Sequence, residues 1–172
     1  MINYDLTKIR ALLFDVDGVL SAPSIALGSD GQPVRTVNIK DGYALQLAIK
    51  RELQVAIITG AKTEAVRERY IHLGISEVHL GCSVKSKVYA DLCQRLSLRD
   101  DEIMYMGDDI PDYEVMKRCG LPCCPADAAP EIKAISRYVC TSCGGMGCVR
   151  EVIEQILRAQ GKWQMDHVAF GW

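Results

Sequence analysis

Asp15 and Asp17 stand two residues apart at the end of the apolar run Leu12-Leu13-Phe14, with Gly18 directly behind them. Alternate side chains of a strand share a face. If the strand ends at Asp15 and the chain then turns, Asp15 points into a site and Asp17 reaches the same place from the loop. One carboxylate can then attack or hold a metal while the other moves protons, as phosphoryl transfer through an aspartyl-phosphate requires. Asp and Gly are also ordinary turn residues, so the pair alone fits a surface turn as well. Three further segments decide between the two.

Thr59-Gly60 follows the run Val55–Ile58 and offers phosphate oxygens a hydroxyl and a closely approaching backbone N–H. After the run Glu77–Leu80 comes Gly81-Cys82-Ser83-Val84-Lys85-Ser86-Lys87. A lysine here offsets charge on a transferring phosphoryl group; Lys85 is the better placed, with Lys87 its neighbouring rival. After Ile103–Met106 comes Gly107-Asp108-Asp109-Ile110-Pro111-Asp112. Carboxylates so crowded repel one another unless a cation is present. Together with Asp15 they make a hard-oxygen site suited to Mg²⁺.

The elements that must position these residues alternate. Leu12–Phe14, Val55–Ile58, Glu77–Leu80 and Ile103–Met106 read as strands whose near-continuous apolar character suits burial on both faces. Gly42–Glu52, Thr63–Leu73 and Lys87–Leu96 carry apolar residues at helical spacing, and Val149–Gln160 reads as a closing helix. A β-α-β-α-β order implies a parallel α/β sheet, Rossmann-like, with right-handed crossovers and helices on both faces. Ligands of such sheets bind beyond the carboxyl ends of the strands, where all four polar segments fall. Residues 1–172 read as one domain.

One segment breaks the alternation. Two short extended runs flank Gly28–Gly31, the mark of a β-hairpin flap spanning about 21–40 and standing over the strand ends. The flap is too small to bury a substrate alone, which calls for a neighbouring subunit. Trp163–Trp172 reads as an extended tail that either packs on another subunit or frays.

The chain has 172 residues, 49% of them hydrophobic, enough for a real core. Its formal charge of −2 argues against nucleic acid and against a polybasic membrane patch. No apolar stretch approaches the roughly 18 residues of a membrane span, and the polar start Met1–Arg10 is unlike a secretory signal. These signs point to the cytoplasm. There the eight cysteines are expected to be reduced and mostly buried. Cys140-x-x-Cys143 with Cys148 suggests zinc, but the histidines are distant and no second Cys-x-x-Cys exists.

In order and spacing, Asp-x-Asp-Gly-Val, strand-Thr-Gly, the loop lysine and Gly-Asp-Asp-x-x-Asp resemble the haloacid dehalogenase superfamily of phosphotransferases over nearly the whole chain. The lack of a large cap domain, the hairpin, Asn38-Ile39-Lys40-Asp41-Gly42 and Gly144-Gly145-x-Gly147-x-x-Arg150-Glu151 resemble one branch of it. That branch comprises the 3-deoxy-D-manno-octulosonate 8-phosphate phosphatases of lipopolysaccharide precursor synthesis and related nonulosonate 9-phosphate phosphatases.

The resemblance implies a Mg²⁺-dependent phosphomonoesterase with Asp15 as nucleophile and Asp17 as acid and then base. It assigns the metal to Asp15, the Asp17 backbone carbonyl and Asp108, with Asp109 and Asp112 behind them. Thr59, Gly60 and Lys85 would hold the phosphoryl oxygens. Asn38, Lys40, Asp41, Lys62 and Arg67 would meet the sugar acid, inside a homotetramer whose neighbouring subunits help close each site. The chain departs from the pattern at Ser21-Ala22-Pro23, where many members carry Thr-Asp-Gly. It departs again at Ala61-Lys62, where octulosonate enzymes often place Arg, and Lys62 lacks that residue's bidentate fork. The glutamate some nonulosonate enzymes carry at the Ala61 position is absent, which favours the eight-carbon substrate over the nine-carbon alternative. A receiver-type signalling module also uses a phosphorylatable Asp, acidic metal ligands, a Thr and a Lys. It has no counterpart of Asp17 or of the hairpin, and its nucleophile strand is not the first in the chain.

Overall fold

The computed structural model describes residues 1–29 and 31–171. In chain order the elements are β1 (Ala11–Phe14), β2 (Ala26–Leu27), β3 (Pro33–Val34), α1 (Ile39–Lys50), β4 (Gln54–Ile58), α2 (Glu64–His72), β5 (Glu77–His79) and α3 (Lys85–Arg95). They continue as β6 (Ile103–Met106), α4 (Tyr113–Arg118), β7 (Leu121–Cys124), α5 (Pro130–Ile135), β8 (Tyr138–Val139) and α6 (Cys148–Ala159). Six strands form one parallel sheet in the order β5-β4-β1-β6-β7-β8.

Each central strand is buried on both faces, and its alternate residues feed two separate cores. Leu12, Phe14, Val55, Ile57, Met104 and Met106 pack with residues of α1, α2 and α6. Leu13, Ala56, Ile58, Ile103 and Tyr105 pack on the opposite face with α3, α4 and α5. The closing helix α6 buries Val149, Val152, Ile153, Ile156 and Leu157, an apolar stripe at three- and four-residue spacing. Burial of each such side chain contributes about 1.5–3 kcal/mol before entropy is counted.

Element starts shift from the sequence reading for local reasons. α1 begins at Ile39 because Asn38 caps it, its side-chain oxygen accepting from the Lys40 N–H (2.9 Å) and the Asp41 N–H (3.2 Å). α3 begins at Lys85, which places that side chain on the first turn and buries it, while Lys87 is exposed. Four elements between Tyr113 and Val139 carried no legible pattern. α4 and α5 have six residues each, too few for a period to show. β7 holds Pro122, which argues against a central strand, and β8 has two residues.

The hairpin forms as expected, with Ala26 opposite Val34 and Leu27 opposite Pro33. It stays exposed, and no larger cap is present among the described residues. The tail does not fray but folds back on α1 of its own chain, leaving Met165 and Phe170 exposed. Trp163 meets Tyr43 edge to face with centroids 6.5 Å apart, and Arg150 and Arg158 lie over its indole. Tyr43 donates to the Ala169 carbonyl at 2.8 Å, and Arg51 pairs with Asp166 at 2.8 Å. Trp172 lies outside the described residues.

All eight cysteines are free thiols, with Cys143 exposed and Cys82 partly so. Among the described residues no group of cysteines and histidines converges as metal ligands; the one group able to do so is acidic.

Candidate active site

From β1 the sheet grows outward through β4 and β5, then restarts on the other side with β6, β7 and β8. The crevice where the order reverses lies between β1 and β6, the place where such sheets bind ligands. Register brings the strand ends level, because Phe14 pairs with Ile57 on one side and Met106 on the other. Asp15, Thr59 and the loop after Met106 therefore emerge together. The Asp15 N–H is held by the Met106 carbonyl (3.1 Å) and the Thr59 N–H by the His79 carbonyl (3.0 Å). Asp15, Asp17, Thr59, Gly60, Lys85, Asp108, Asp109 and Asp112 all line one cavity of about 510 Å³ at this edge.

At its floor the Lys85 Nζ lies 2.9 Å from Asp15 Oδ1 and 2.7 Å from Asp112 Oδ1, all three side chains buried. Asp112 is fixed from two more sides. Tyr105 donates its hydroxyl at 2.6 Å, and the Asp108 N–H donates to Asp112 Oδ2 at 3.2 Å. Carboxylate oxygens of Asp15, Asp108 and Asp112 lie within 4.8 Å of one another.

Two buried carboxylates and a half-buried third with one ammonium leave the site short of positive charge. Burial, reinforced by Asp112 and only partly offset by Lys85, pushes Asp15 up to about 6. Burial and the neighbouring Asp15 push Asp108 up to about 7. For Lys85, burial opposes the charge but the two aspartates outweigh it and raise the group. Such a donor set, all oxygen and under-neutralised, fits Mg²⁺. Gly18 makes room for it: its φ is +84° and a Cβ there would overlap the Asp108 carboxylate.

Asp17 faces the same cavity but is held from the hairpin. Arg35, the first residue after β3, forks onto it, with Nε 2.7 Å from Oδ1 and Nη2 2.8 Å from Oδ2. Sequence reading missed Arg35. Its signal was available, since it is the one basic residue between Leu20 and Lys40, on the segment that covers two carboxylates.

The residues expected to meet a sugar acid do not gather in this cavity. Asp41 is turned into the core instead: it is 1% exposed, and its Oδ1 accepts from the Arg150 N–H at 2.7 Å. Arg150 is the third residue of α6, whose own N-cap is Gly147 with no side chain to offer. Asp41 thus caps α6 from across the core. That contact also steadies the Gly144–Gly147 loop, where a Cβ on Gly144 would overlap the Gly18 carbonyl. Asn38, besides capping α1, donates to the Gly145 carbonyl at 3.2 Å. Arg67 is committed to the Val78 carbonyl (2.7 Å) and Glu64 (3.0 Å). Lys40 and Lys62 are exposed and outside the cavity lining. A second cavity of about 340 Å³ lies under the hairpin, lined by Val16, Arg35, Thr63, Arg69 and Tyr70 among others.

Comparison with known proteins agrees with this geometry. A family model described as haloacid dehalogenase-like hydrolase matches residues 78–151. The 3-deoxy-D-manno-octulosonate 8-phosphate phosphatase KdsC of Escherichia coli (strain K12) is 41% identical over 155 residues, covering 90% of this chain and 82% of that protein. The crystal structure of the same-named phosphatase from Yersinia pestis superposes with a TM-score of 0.88 at 38% identity, over 92% of this chain and 85% of that one. The Moraxella catarrhalis phosphatase, solved with a magnesium ion, a phosphate ion and a KDO molecule, gives 0.88 at 33% identity, over 92% and 91% of the chains.

Proposed function

Because the chain belongs to the 3-deoxy-D-manno-octulosonate 8-phosphate phosphatase family of haloacid dehalogenase-like hydrolases, we propose that it hydrolyses that sugar-acid phosphate, with Mg²⁺, to 3-deoxy-D-manno-octulosonate and phosphate. The observation that carries the reading is the Lys85 ammonium seated between Asp15 and Asp112 beneath a cavity that Asp17 and Asp108 also face.

Asp15 attacks phosphorus, and the bond from phosphorus to the sugar oxygen breaks. Asp17 gives that oxygen a proton, then takes one from the water that frees phosphate from Asp15. Lys85, the Thr59 hydroxyl and the Gly60 N–H receive the phosphoryl oxygens, and their fixed charge and dipoles stabilise the transition state. Asp112 acts by holding Lys85 and the Asp108 backbone. Mg²⁺, held by Asp15, the Asp17 carbonyl and Asp108 with Asp109 nearby, would neutralise charge so that one anion can approach another.

The enzyme is read as a homotetramer working in the cytoplasm. Support for assembly lies in Leu27, Val34, Val37 and Ile39, large apolar side chains left exposed on and beside the hairpin. Light scattering showing only monomer would contradict it. Among the described residues no helix is long and apolar enough to cross a membrane.

The test of substrate is phosphate release with Mg²⁺ from octulosonate 8-phosphate, nonulosonate 9-phosphates, hexose phosphates and an aryl phosphate. Strong preference for the octulosonate is expected. Preference for a nonulosonate would keep the mechanism and overturn the substrate.

A further inference from the structure

We propose that Arg35 is a latch on Asp17 which the carboxylate of the substrate opens, so that the acid/base group is released only when a sugar acid is bound. The inference rests on the sugar-acid phosphate reading and adds a positioning residue to it.

The fork between Arg35 and Asp17 uses both carboxylate oxygens at 2.7 and 2.8 Å, the geometry in which guanidinium–carboxylate pairs are strongest. The Arg35 side chain is 12% exposed and that of Asp17 36%, so the guanidinium end of the pair is largely shielded from water while the carboxylate end stays open to the cavity. While the fork holds, both Asp17 oxygens face the hairpin arginine. Transfer of a proton to a leaving oxygen over Asp15 needs one of them turned to the phosphate cavity. The latched position is therefore a resting one.

What opens it must satisfy Arg35 as well as Asp17 does. A planar carboxylate is the matching partner. Arg35 is placed to meet one, because it lines the second cavity, under the hairpin and next to Val16, whereas Asp17 lines the phosphate cavity. A substrate whose phosphate lies over Asp15 and whose carboxylate reaches under the hairpin would span the two. The exchange is noncovalent: one carboxylate replaces another on the same guanidinium.

The hairpin is built to hold this register. Thr36, next to Arg35, is tied to the loop that follows Asp17, accepting from the Ala22 N–H at 3.0 Å and donating its own N–H to the Ser21 hydroxyl at 3.1 Å. Arg35 also reaches the Thr63 hydroxyl with Nη1 at 3.4 Å, so it keeps a second anchor when Asp17 leaves.

The experiment compares wild type with Arg35→Met on two primary alkyl phosphates, octulosonate 8-phosphate and a pentose 5-phosphate without a carboxylate. In wild type the pentose phosphate turns over slowly because the latch stays shut. In Arg35→Met its kcat should rise, while kcat/KM for the octulosonate falls roughly tenfold or more, the loss expected of a charged hydrogen bond to substrate. Arg35→Lys keeps the charge without the fork and should fall between. A merely structural role predicts that both substrates suffer equally, and that result would overturn the latch. So would a wild-type preference for the octulosonate that survives in Arg35→Met. Wild type that shows no preference at all would instead contradict the sugar-acid reading beneath it.

Discussion

The Lys85 ammonium stands 2.9 Å from the Asp15 carboxylate with both side chains buried, so each is the other's principal compensation for lost water. Such a pair is a weak source of net stability, but removing one member leaves an uncompensated charge. In Lys85→Met, Asp15 and Asp112 face each other alone and the phosphoryl oxygens lose their cation. Phosphate release should fall about 10²–10³-fold, the usual cost of one lost transition-state donor, while the protein still folds. Activity within a few-fold of wild type would show that Lys85 only packs.

Asp41 gives the corresponding test for the scaffold. Its Oδ1 caps α6, but its Oδ2 is buried without a hydrogen-bond partner among the described residues, and burial raises the carboxyl above its ordinary range. What the helix needs from this residue is an acceptor rather than a charge. Asp41→Asn should unfold within about 0.5 kcal/mol of wild type, and Asp41→Ala should lose about 1–2 kcal/mol. Denaturant melts measure both, and equal losses would refute the cap.

The metal site has a pH signature. Asp15 and Asp108 sit at about 6 and about 7, above the ordinary carboxylate range. In metal-free protein the stability they contribute is full only below the ordinary carboxylate range, falls as pH rises from there, and is gone once pH has passed about 6 for Asp15 and about 7 for Asp108. Mg²⁺ takes the same oxygens as the protons do, so it should stabilise little at about pH 5 and strongly at about pH 8. Thermal melts with and without Mg²⁺ at the two values test this. A shift that is equal at both, or absent after chelation and re-addition, would contradict the assignment.

Which parts of this were legible in the sequence follows from what each residue does. Asp15, Asp17, Thr59 and Asp108 stand at or just beyond strand ends, and the apolar runs Leu12–Phe14, Val55–Ile58 and Ile103–Met106 that place them are continuous enough to read, while Lys85 opens the helix after the next strand. The same rule that ligands gather at one edge of a parallel sheet brings them together. The capping role of Asp41 could not be read because its partner, Arg150, lies more than a hundred residues away and no local pattern announces a cap supplied across the core. Pro122 and the brevity of α4, α5 and β8 hid a third of the sheet. Trp163 suggested an outward contact, yet Tyr43 and Arg150 of the same chain receive it. Arg35 needed a neighbour in space, Asp17, to acquire meaning.

The most direct test of the whole account is Mg²⁺-dependent phosphate release from 3-deoxy-D-manno-octulosonate 8-phosphate by wild type and by Asp15→Asn. The substitution is nearly isosteric and keeps the fold, but it removes the oxygen that attacks phosphorus. Sustained turnover by wild type and none by Asp15→Asn is the predicted result. Turnover that survives in Asp15→Asn would mean that phosphate leaves without passing through Asp15, contradicting the mechanism at its centre.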